Sequence, residues 1–274
     1  MILLTGHRGF IGSKLFRELQ NMGHSVVGID LKDGLDISNC LPDIQVDYVF
    51  HMAALPSVAF SIENPSYSLR HNVLGTSILL EWAKSHGAKC LVFSSSAAVY
   101  GDGNGPKSPY GMHKMMSEME CRLYSELYGL NTVSLRYFNV YSEDQEFGGS
   151  YSTVISAWME MLKTNQKLSI DGDGTQSRDF IHVDDIISAN IWCINNYKTL
   201  NEPFYDVGSG SQISLNYVRD FINKHYDVDW ATRPPRTGDV QHSKIGNKRL
   251  QNSGWVPKVN IEDGLRRCFS DVQN

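Results

Sequence analysis

Long hydrophobic runs, paired cysteines and an excess of basic charge are all missing from this 274-residue chain. Its first apolar run, Met1-Ile2-Leu3-Leu4, breaks at Thr5-Gly6-His7-Arg8. That is too short for a signal-peptide core, and no later run approaches the length of a membrane span. The five cysteines (Cys40, Cys90, Cys121, Cys193, Cys268) are odd in number and scattered, with no Cys-x-x-Cys pair and no histidine at metal-ligand spacing. Neither a disulfide framework nor a metal site is expected, and the cysteines read as buried thiols in a reducing, cytoplasmic compartment. A net charge of -5 argues against a nucleic-acid surface, with Arg233-Pro234-Pro235-Arg236 a local basic exception.

What is present is the composition of an ordinary globular protein, 41% hydrophobic and 20% charged, without internal repeats. A chain of this length buries a full core as one large domain, with or without a small appended lobe. Ile2 to Thr5 reads as a strand, Ile11 to Met22 as a helix closed by Gly23, and Ser25 to Asp30 as a second strand: a βαβ unit. Leu35-Asp36-Ile37 is a short third strand at best, and Val46 to His51 is the next firm one. Glu63 to His86 is helical, Cys90 to Phe93 is a buried strand running into Ser94-Ser95-Ser96, Tyr110 to Tyr128 is a helix stopped by Gly129, and Val133 to Phe138 is a strand. This alternation predicts an α/β, Rossmann-type doubly wound parallel sheet. After Asn139 the elements shorten, with a helix from about Ser152 to Leu162, a turn at Asp171-Gly172-Asp173-Gly174, and a smaller lobe at the sheet's carboxyl edge. The expected division is 1–140, with part of 175–207, as a nucleotide-binding domain, and 141–174 with 208–274 as the lobe.

Gly6-His7-Arg8-Gly9-Phe10-Ile11-Gly12 lies between the first strand and the first helix, where glycines allow a tight turn and close approach of backbone N–H groups to a pyrophosphate. Asp30 ends the second strand, placed to accept hydrogen bonds from both hydroxyls of an adenosine ribose and to repel a 2′-phosphate, which favours NAD over NADP. Lys32 partly offsets that repulsion. Tyr110 and Lys114 are one helical turn apart, and an ammonium beside a phenol favours the phenolate. With 13 tyrosines in the chain such a pair carries nothing alone; beside the glycine motif and the serine run it reads as a proton-transfer site for redox chemistry at a carbon bearing a hydroxyl.

Gly6-x-x-Gly9-x-x-Gly12, His51-Met52-Ala53-Ala54, Ser94 to Gly101, Tyr110-x-x-x-Lys114, Arg136-Tyr137-Phe138-Asn139 and Arg178-Asp179-Phe180-Ile181-His182-Val183-Asp184-Asp185 resemble, in order, the motifs of extended short-chain dehydrogenases/reductases. The resemblance extends from Ile2 to about Leu265 and is nearest to NAD-dependent UDP-glucose and UDP-N-acetylglucosamine 4-epimerases. It implies that Ala53 and Ala54 join Gly6, Gly9, Phe10, Ile11 and Gly12 around NAD, that Ser96 hydrogen-bonds the reacting hydroxyl, that Tyr110 is the base, and that Lys114 is its partner and ribose anchor. Asn139, Arg178 and Arg236 match positions that grip the diphosphate, and Asp239 one that holds the nucleotide ribose. Arg178 reads otherwise as a surface ion pair with Asp179 or Asp184. Ala97-Ala98 stands where sugar dehydratases carry Asp-Glu and where decarboxylases carry a glutamate, so neither reaction is expected. Ser243, Gln145 and Ser57, within Leu55-Pro56-Ser57-Val58, resemble the subgroup that uses N-acetyl-hexosamines.

Two features depart from the pattern. The link from Asp30 to Asp36-Ile37 is very short, as in nucleotide-sugar 4-keto reductases, with Asp36 and Ile37 flanking the adenine. The loop from Gly101 to Pro109 is roughly ten residues shorter than is usual, which implies a more open sugar pocket. The expected activity is NAD-dependent 4-epimerisation of a UDP-sugar; the alternatives are an NADPH-consuming reductase or reductive epimerase, and a non-catalytic nucleotide sensor. The resemblance also implies a homodimer through the helices around Asn72–His86 and Met112–Tyr128, with Leu79, Trp82, Met115 and Met119 on their outer faces.

Overall fold

The computed structural model describes residues 1–148, 153–235 and 248–270. The chain begins with β1 (Ile2–Thr5), α1 (Phe10–Asn21), β2 (Val26–Ile29) and β3 (Tyr48–His51). It continues through α2 (Val58–Glu63), α3 (Pro65–Leu69), a π-helical turn at Arg70–Leu74, α4 (Gly75–Ser85), β4 (Cys90–Ser96), α5 (Pro109–Tyr128) and β5 (Asn131–Tyr137). Then come β6 (Asn139–Tyr141), α6 (Val154–Lys163), β7 (Leu168–Asp171), β8 (Ser177–Arg178), β9 (Phe180–His182), α7 (Val183–Asn196) and β10 (Tyr205–Val207). β11 (Ile213–Ser214), α8 (Leu215–Asn223), β12 (Trp230–Arg233), α9 (Arg249–Asn252) and α10 (Ile261–Ser270) complete it.

A six-stranded sheet in the order β10-β5-β4-β3-β1-β2, parallel at every pairing, forms the centre. Winding runs outward from β1 to β2, then returns past β1 to β3, so the order reverses between β1 and β3 and opens a crevice at the strands' carboxyl ends. Helices cover both faces, which is why β1 is buried at all four residues and begins with the apolar run Ile2-Leu3-Leu4. One apolar cluster packs Leu15, Leu19, Val92, Leu135, Ile186 and Ile194 beneath α1 and α7, and the other packs Leu3, Val49, Leu79, Leu80, Phe93 and Cys121 beneath α4 and α5. A third, with Tyr141, Trp158, Ile170, Phe221 and Phe269, gathers elements from the later part of the chain. Three two-stranded ladders, β6 with β9, β7 with β12 and β8 with β11, accompany it.

Several elements differ from the sequence reading. Leu35–Ile37 forms no strand: Asp30 caps a short 3-10 turn at Leu31–Asp33, and Gly34, at φ 74°, turns the chain away from the sheet edge. The helical stretch expected from Glu63 begins earlier, at Val58, and restarts at Pro65, whose fixed φ suits a first helical position. Cys40 is exposed, while the other four cysteines are buried. Leu79 and Trp82 point into the core, not outward. Met119 is exposed as expected, and so are Met112, Met116, Leu123 and Leu127 of the same helix α5; Leu69 and Leu74 are exposed too. Among the described residues no helix is long and apolar enough to cross a membrane.

Candidate active site

The glycine loop leaves no room for side chains. Gly6, at φ 74°, donates its N–H to the Ile29 carbonyl, and a Cβ there would lie 2.6 Å from the Ala53 nitrogen. A Cβ on Gly12 would sit 2.0 Å from the Gly6 carbonyl oxygen. The loop therefore presses against both the end of β3 and the start of α1. α1 starts from Gly9 with no side-chain cap and no acidic residue in its first turn, so its N-terminal N–H groups are available to an anion.

At the far end of β2, Asp30 accepts hydrogen bonds from the backbone nitrogens of Arg8 and Lys32, each at 2.9 Å. The two basic residues are laced across it: Lys32 Nζ donates to the Arg8 carbonyl at 3.0 Å, and the Arg8 guanidinium reaches the Lys32 carbonyl and the Asp33 carboxylate. Asp36 accepts from the Ser38 nitrogen at 2.9 Å. Burial opposes its ionisation, but the Ser38 hydrogen bonds and the His71 and Arg70 charges outweigh it and hold the carboxyl below its ordinary value. Ile37 packs on Gly75.

The opposite wall carries the serines and the tyrosine–lysine pair. Each serine has a different task. The Ser94 carbonyl accepts from Lys114 Nζ at 2.6 Å, the Ser95 hydroxyl donates to Glu118, and Ser96 Oγ accepts from the Ala98 nitrogen at 3.1 Å. Lys114 is buried, with Nζ 4.7 Å from the Phe93 ring centroid and 6.0 Å from that of Tyr110. Burial pushes its ammonium down to about 7, against the opposing effects of Cys121 and Glu118. Ser108 caps α5 by accepting from the Gly111 nitrogen, and Pro109 occupies the first helical position. Gly111 brings the helix start against the turn after Ser96, since a Cβ there would lie 2.5 Å from the Ala98 oxygen. Tyr110, buried beside it, donates its backbone N–H to Ser61 Oγ at 3.1 Å. Behind them, His51 is held between Thr5 Oγ1 at 2.8 Å and Thr76 Oγ1 at 2.9 Å. Burial, aided by the Lys114 charge, pushes this imidazole down to about 3 and keeps it neutral.

One cleft of ≈ 560 Å³ brings together Gly6, Gly9, Phe10, Ile11, Gly12, Asp30, Asp36, Ile37, Ala53 and Ala54 with Ser96, Tyr110 and Lys114. Gln145 also lines it and accepts from Thr153 Oγ1 at 3.1 Å. Ser57, Asn139 and Arg178 do not line this cleft. Ser57 caps α2, Asn139 donates its side-chain N–H to the Asp179 carbonyl at 3.3 Å, and Arg178 donates to the Ser177 carbonyl at 2.8 Å. Neither acidic neighbour is idle: the Asp179 carboxylate is taken up by Ser209 and Gly210, and that of Asp184 by Arg267. Arg236, Asp239 and Ser243 lie outside the described residues. Sequence reasoning missed the pairing of Glu118 with Arg136, the latter read only as part of a motif, and the Lys14–Asp144 ion pair, which ties α1 to the segment carrying Gln145. Only Glu118 left a local signal, a carboxylate one helical turn beyond Lys114.

Residues 2–208 match the model of the NAD dependent epimerase/dehydratase family. The chain belongs to this family. A putative UDP-glucose 4-epimerase of Methanocaldococcus jannaschii is 33% identical to it over 307 aligned positions, covering 100% of this chain and 99% of the relative. Among solved structures, the UDP-N-acetylglucosamine 4-epimerase of Methanobrevibacter ruminantium, in complex with UDP-N-acetylmuramic acid, superposes with a TM-score of 0.89 at 30% identity, covering 98% of this chain and 96% of that one. A Thermus thermophilus UDP-glucose 4-epimerase in complex with NAD gives 0.83 at 28% identity, covering 99% and 98%. NAD is the cofactor of this family member, and the side-chain-free glycine loop, the uncapped α1 terminus and the Asp30 carboxylate fit a dinucleotide laid across the cleft.

Proposed function

We propose that this nucleotide-sugar epimerase/dehydratase family member is a 4-epimerase acting on a UDP-hexose or UDP-N-acetylhexosamine. The observation that supports this reading best is that Ser96, Tyr110 and Lys114 share one cleft with the glycine loop. NAD, when bound, supplies the acceptor and donor of hydride at carbon 4. The chain handles the proton: Tyr110, as phenolate, takes it from the 4-hydroxyl and returns it, work that typically contributes about 10²- to 10⁴-fold. Lys114 favours the phenolate when it is an ammonium, and its value of about 7 places that switch near neutral pH. Ser96 hydrogen-bonds the same substrate oxygen. Ala97 and Ala98 offer no acid or base for loss of water.

Inverting carbon 4 requires the sugar to turn while the nucleotide stays fixed. We assign the fixed grip to Asn139, Arg178, Arg236 and Asp239, and the room for an N-acetyl group to Ser57, Gln145 and Ser243. In this proposal 1–140 with part of 175–207 forms the NAD-binding unit, and 141–174 with 208–274 the sugar-nucleotide lobe. A second reading, an NAD(P)H-dependent 4-keto reductase or reductive epimerase, draws on the compact turn after Asp30 and on the basic Arg8 and Lys32 that bracket it.

Incubating the purified protein with UDP-, GDP- and dTDP-sugars, without added cofactor, and following carbon 4 by NMR separates these readings. Interconversion of UDP-linked 4-epimers with no net change in reduced cofactor is expected. Turnover only with stoichiometric NADPH oxidation would assign the reductase, and conversion confined to GDP- or dTDP-sugars would remove the UDP assignment. Unchanged activity in Tyr110→Phe would remove the catalytic reading altogether.

A further inference from the structure

Behind the cleft wall lies a charged network that the proposed mechanism does not use. Glu118, on α5 one turn beyond Lys114, meets the Arg136 guanidinium through two N–H···O bonds of 2.8 and 2.7 Å, and both side chains are more than nine-tenths buried. Ser95 donates its hydroxyl to the same carboxylate. Ser95 and Arg136 are direct partners across β4 and β5, and Arg136 and Asp206 are direct partners across β5 and β10. The guanidinium also lies 3.3 Å from the Phe204 ring centroid and 4.6 Å from that of Tyr100. Tyr100 in turn donates its hydroxyl to Asp206.

The placement is not arbitrary. Ser95 immediately precedes Ser96, Tyr100 ends the Ala97–Val99 turn that follows it, and Glu118 lies one helical turn beyond Lys114. A buried ion pair is a poor way to gain stability, since apolar residues of similar volume commonly do as well or better. Its position suggests a different use. Lys114 donates to a backbone carbonyl and faces an aromatic ring, with no carboxylate in direct contact among the described residues. The titratable groups around it are His51 from β3, and Tyr110, Glu118 and Cys121 from α5. Those acting around Glu118 are Arg136 from β5, with Lys114 and Cys121 from α5. Burial keeps His51 neutral and pushes Cys121 up as a thiol, so the carboxylate in this set is that of Glu118.

We propose that Glu118 is a positioning residue for the Lys114–Tyr110 pair: through Ser95 and Arg136 it fixes the end of β4 that holds Lys114, and it supplies the negative charge that favours the lysine's ammonium. This rests on reading Tyr110 as the base and Lys114 as its partner.

Glu118→Gln tests it, because the amide oxygen still accepts a hydrogen bond while the charge is gone. The readout is the ultraviolet absorbance of tyrosinate in NAD-loaded protein against pH, taken as the difference between each protein and its Tyr110→Phe counterpart. Loss of the carboxylate weakens the ammonium, so the Tyr110 titration is expected to move up by about one pH unit, and activity at neutral pH to fall about tenfold. Glu118→Asp, which keeps the charge, should leave the titration in place. A Glu118→Gln titration that superimposes on the unaltered protein's, or an equal shift in Glu118→Asp, would overturn the proposal. If Glu118→Gln does not fold, Arg136→Gln keeps a hydrogen-bond donor to the carboxylate but takes away its counter-ion, so the Tyr110 titration is expected to move down; an unmoved or raised titration overturns the proposal. The titration needs no turnover. A shift in a protein that converts no nucleotide sugar therefore sinks the epimerase reading alone, and conversion without a shift sinks the role of Glu118 alone.

Discussion

At 2% exposure, the Lys114 ammonium has exchanged water for the Ser94 carbonyl and the face of Phe93. Burial holds it at about 7, whereas a lysine in the unfolded chain titrates near 10.4, roughly its ordinary value. The folded state therefore binds fewer protons than the unfolded state between those limits. The cost of burying the charge is full below about pH 7 and fades as pH rises toward about 10. Lys114→Met should raise folding stability by a few kcal/mol near pH 6, with the gain shrinking toward pH 10, while activity falls at least about 10²-fold. Urea titrations at the two pH values check this, and a gain no larger at the lower pH would refute it. Residues of this kind were unequally legible in the sequence. The glycine loop was marked by its pattern, Tyr110 and Lys114 by their spacing only beside that loop, and Ser96 by the resemblance alone, since three adjacent serines look alike until the fold gives each a different partner. Arg136 was visible only as part of a motif and Asp206 not at all, because what matters about them is a register between strands.

Between α5 and β4 the fit is set by a missing side chain. Gly111→Ala would place a Cβ 2.5 Å from the Ala98 oxygen, in backbone that cannot step aside like a flexible side chain. The helix start would have to move away from the turn after Ser96, and Tyr110 with it. A loss of about 1–3 kcal/mol is expected from the overpacking. A fall in kcat should persist well below the unfolding temperature, which separates displacement of Tyr110 from simple unfolding; unchanged kcat in the folded variant would contradict it. The C-terminal end of this helix was legible because Gly129 is a strong local signal, while its start was read one residue late, at Tyr110, where Ser108 caps the helix and Pro109 opens it. The parallel strands were legible because coverage on both faces makes them continuous apolar runs. Leu35–Ile37 was not, since three residues read alike as a strand or a bend, and its outcome is set by Gly34 and the Asp30 cap. The pairing of β6 with β9 was equally hidden, joining segments about forty residues apart with no periodic signature.

For the whole molecule, the exposed apolar face of α5 poses the question of what covers it. Met112, Met116, Met119, Leu123 and Leu127 follow one another at intervals of four, three, four and four, which places them on a single stripe of a helix about 30 Å long. Met119 is 67% exposed and Leu127 62%, and Leu69 at the end of α3 and Leu74 at the end of the π-helical turn are exposed as well. Scattered apolar residues on a surface need no explanation, but a continuous stripe does. We propose that a second copy covers it, α5 packing on its own counterpart about a two-fold axis, an arrangement in which one self-complementary face serves both subunits. The protein should then elute at twice its 30.8 kDa mass in light-scattering chromatography. Met119→Glu combined with Leu123→Glu puts four like charges at the centre of such an interface and should yield a folded monomer with an unchanged circular dichroism spectrum. Because the cleft is lined from the other side of α5, by Tyr110 and Lys114, the monomer should still bind NAD. A protein that is monomeric without these changes, or a dimer that tolerates both glutamates, would place the interface elsewhere.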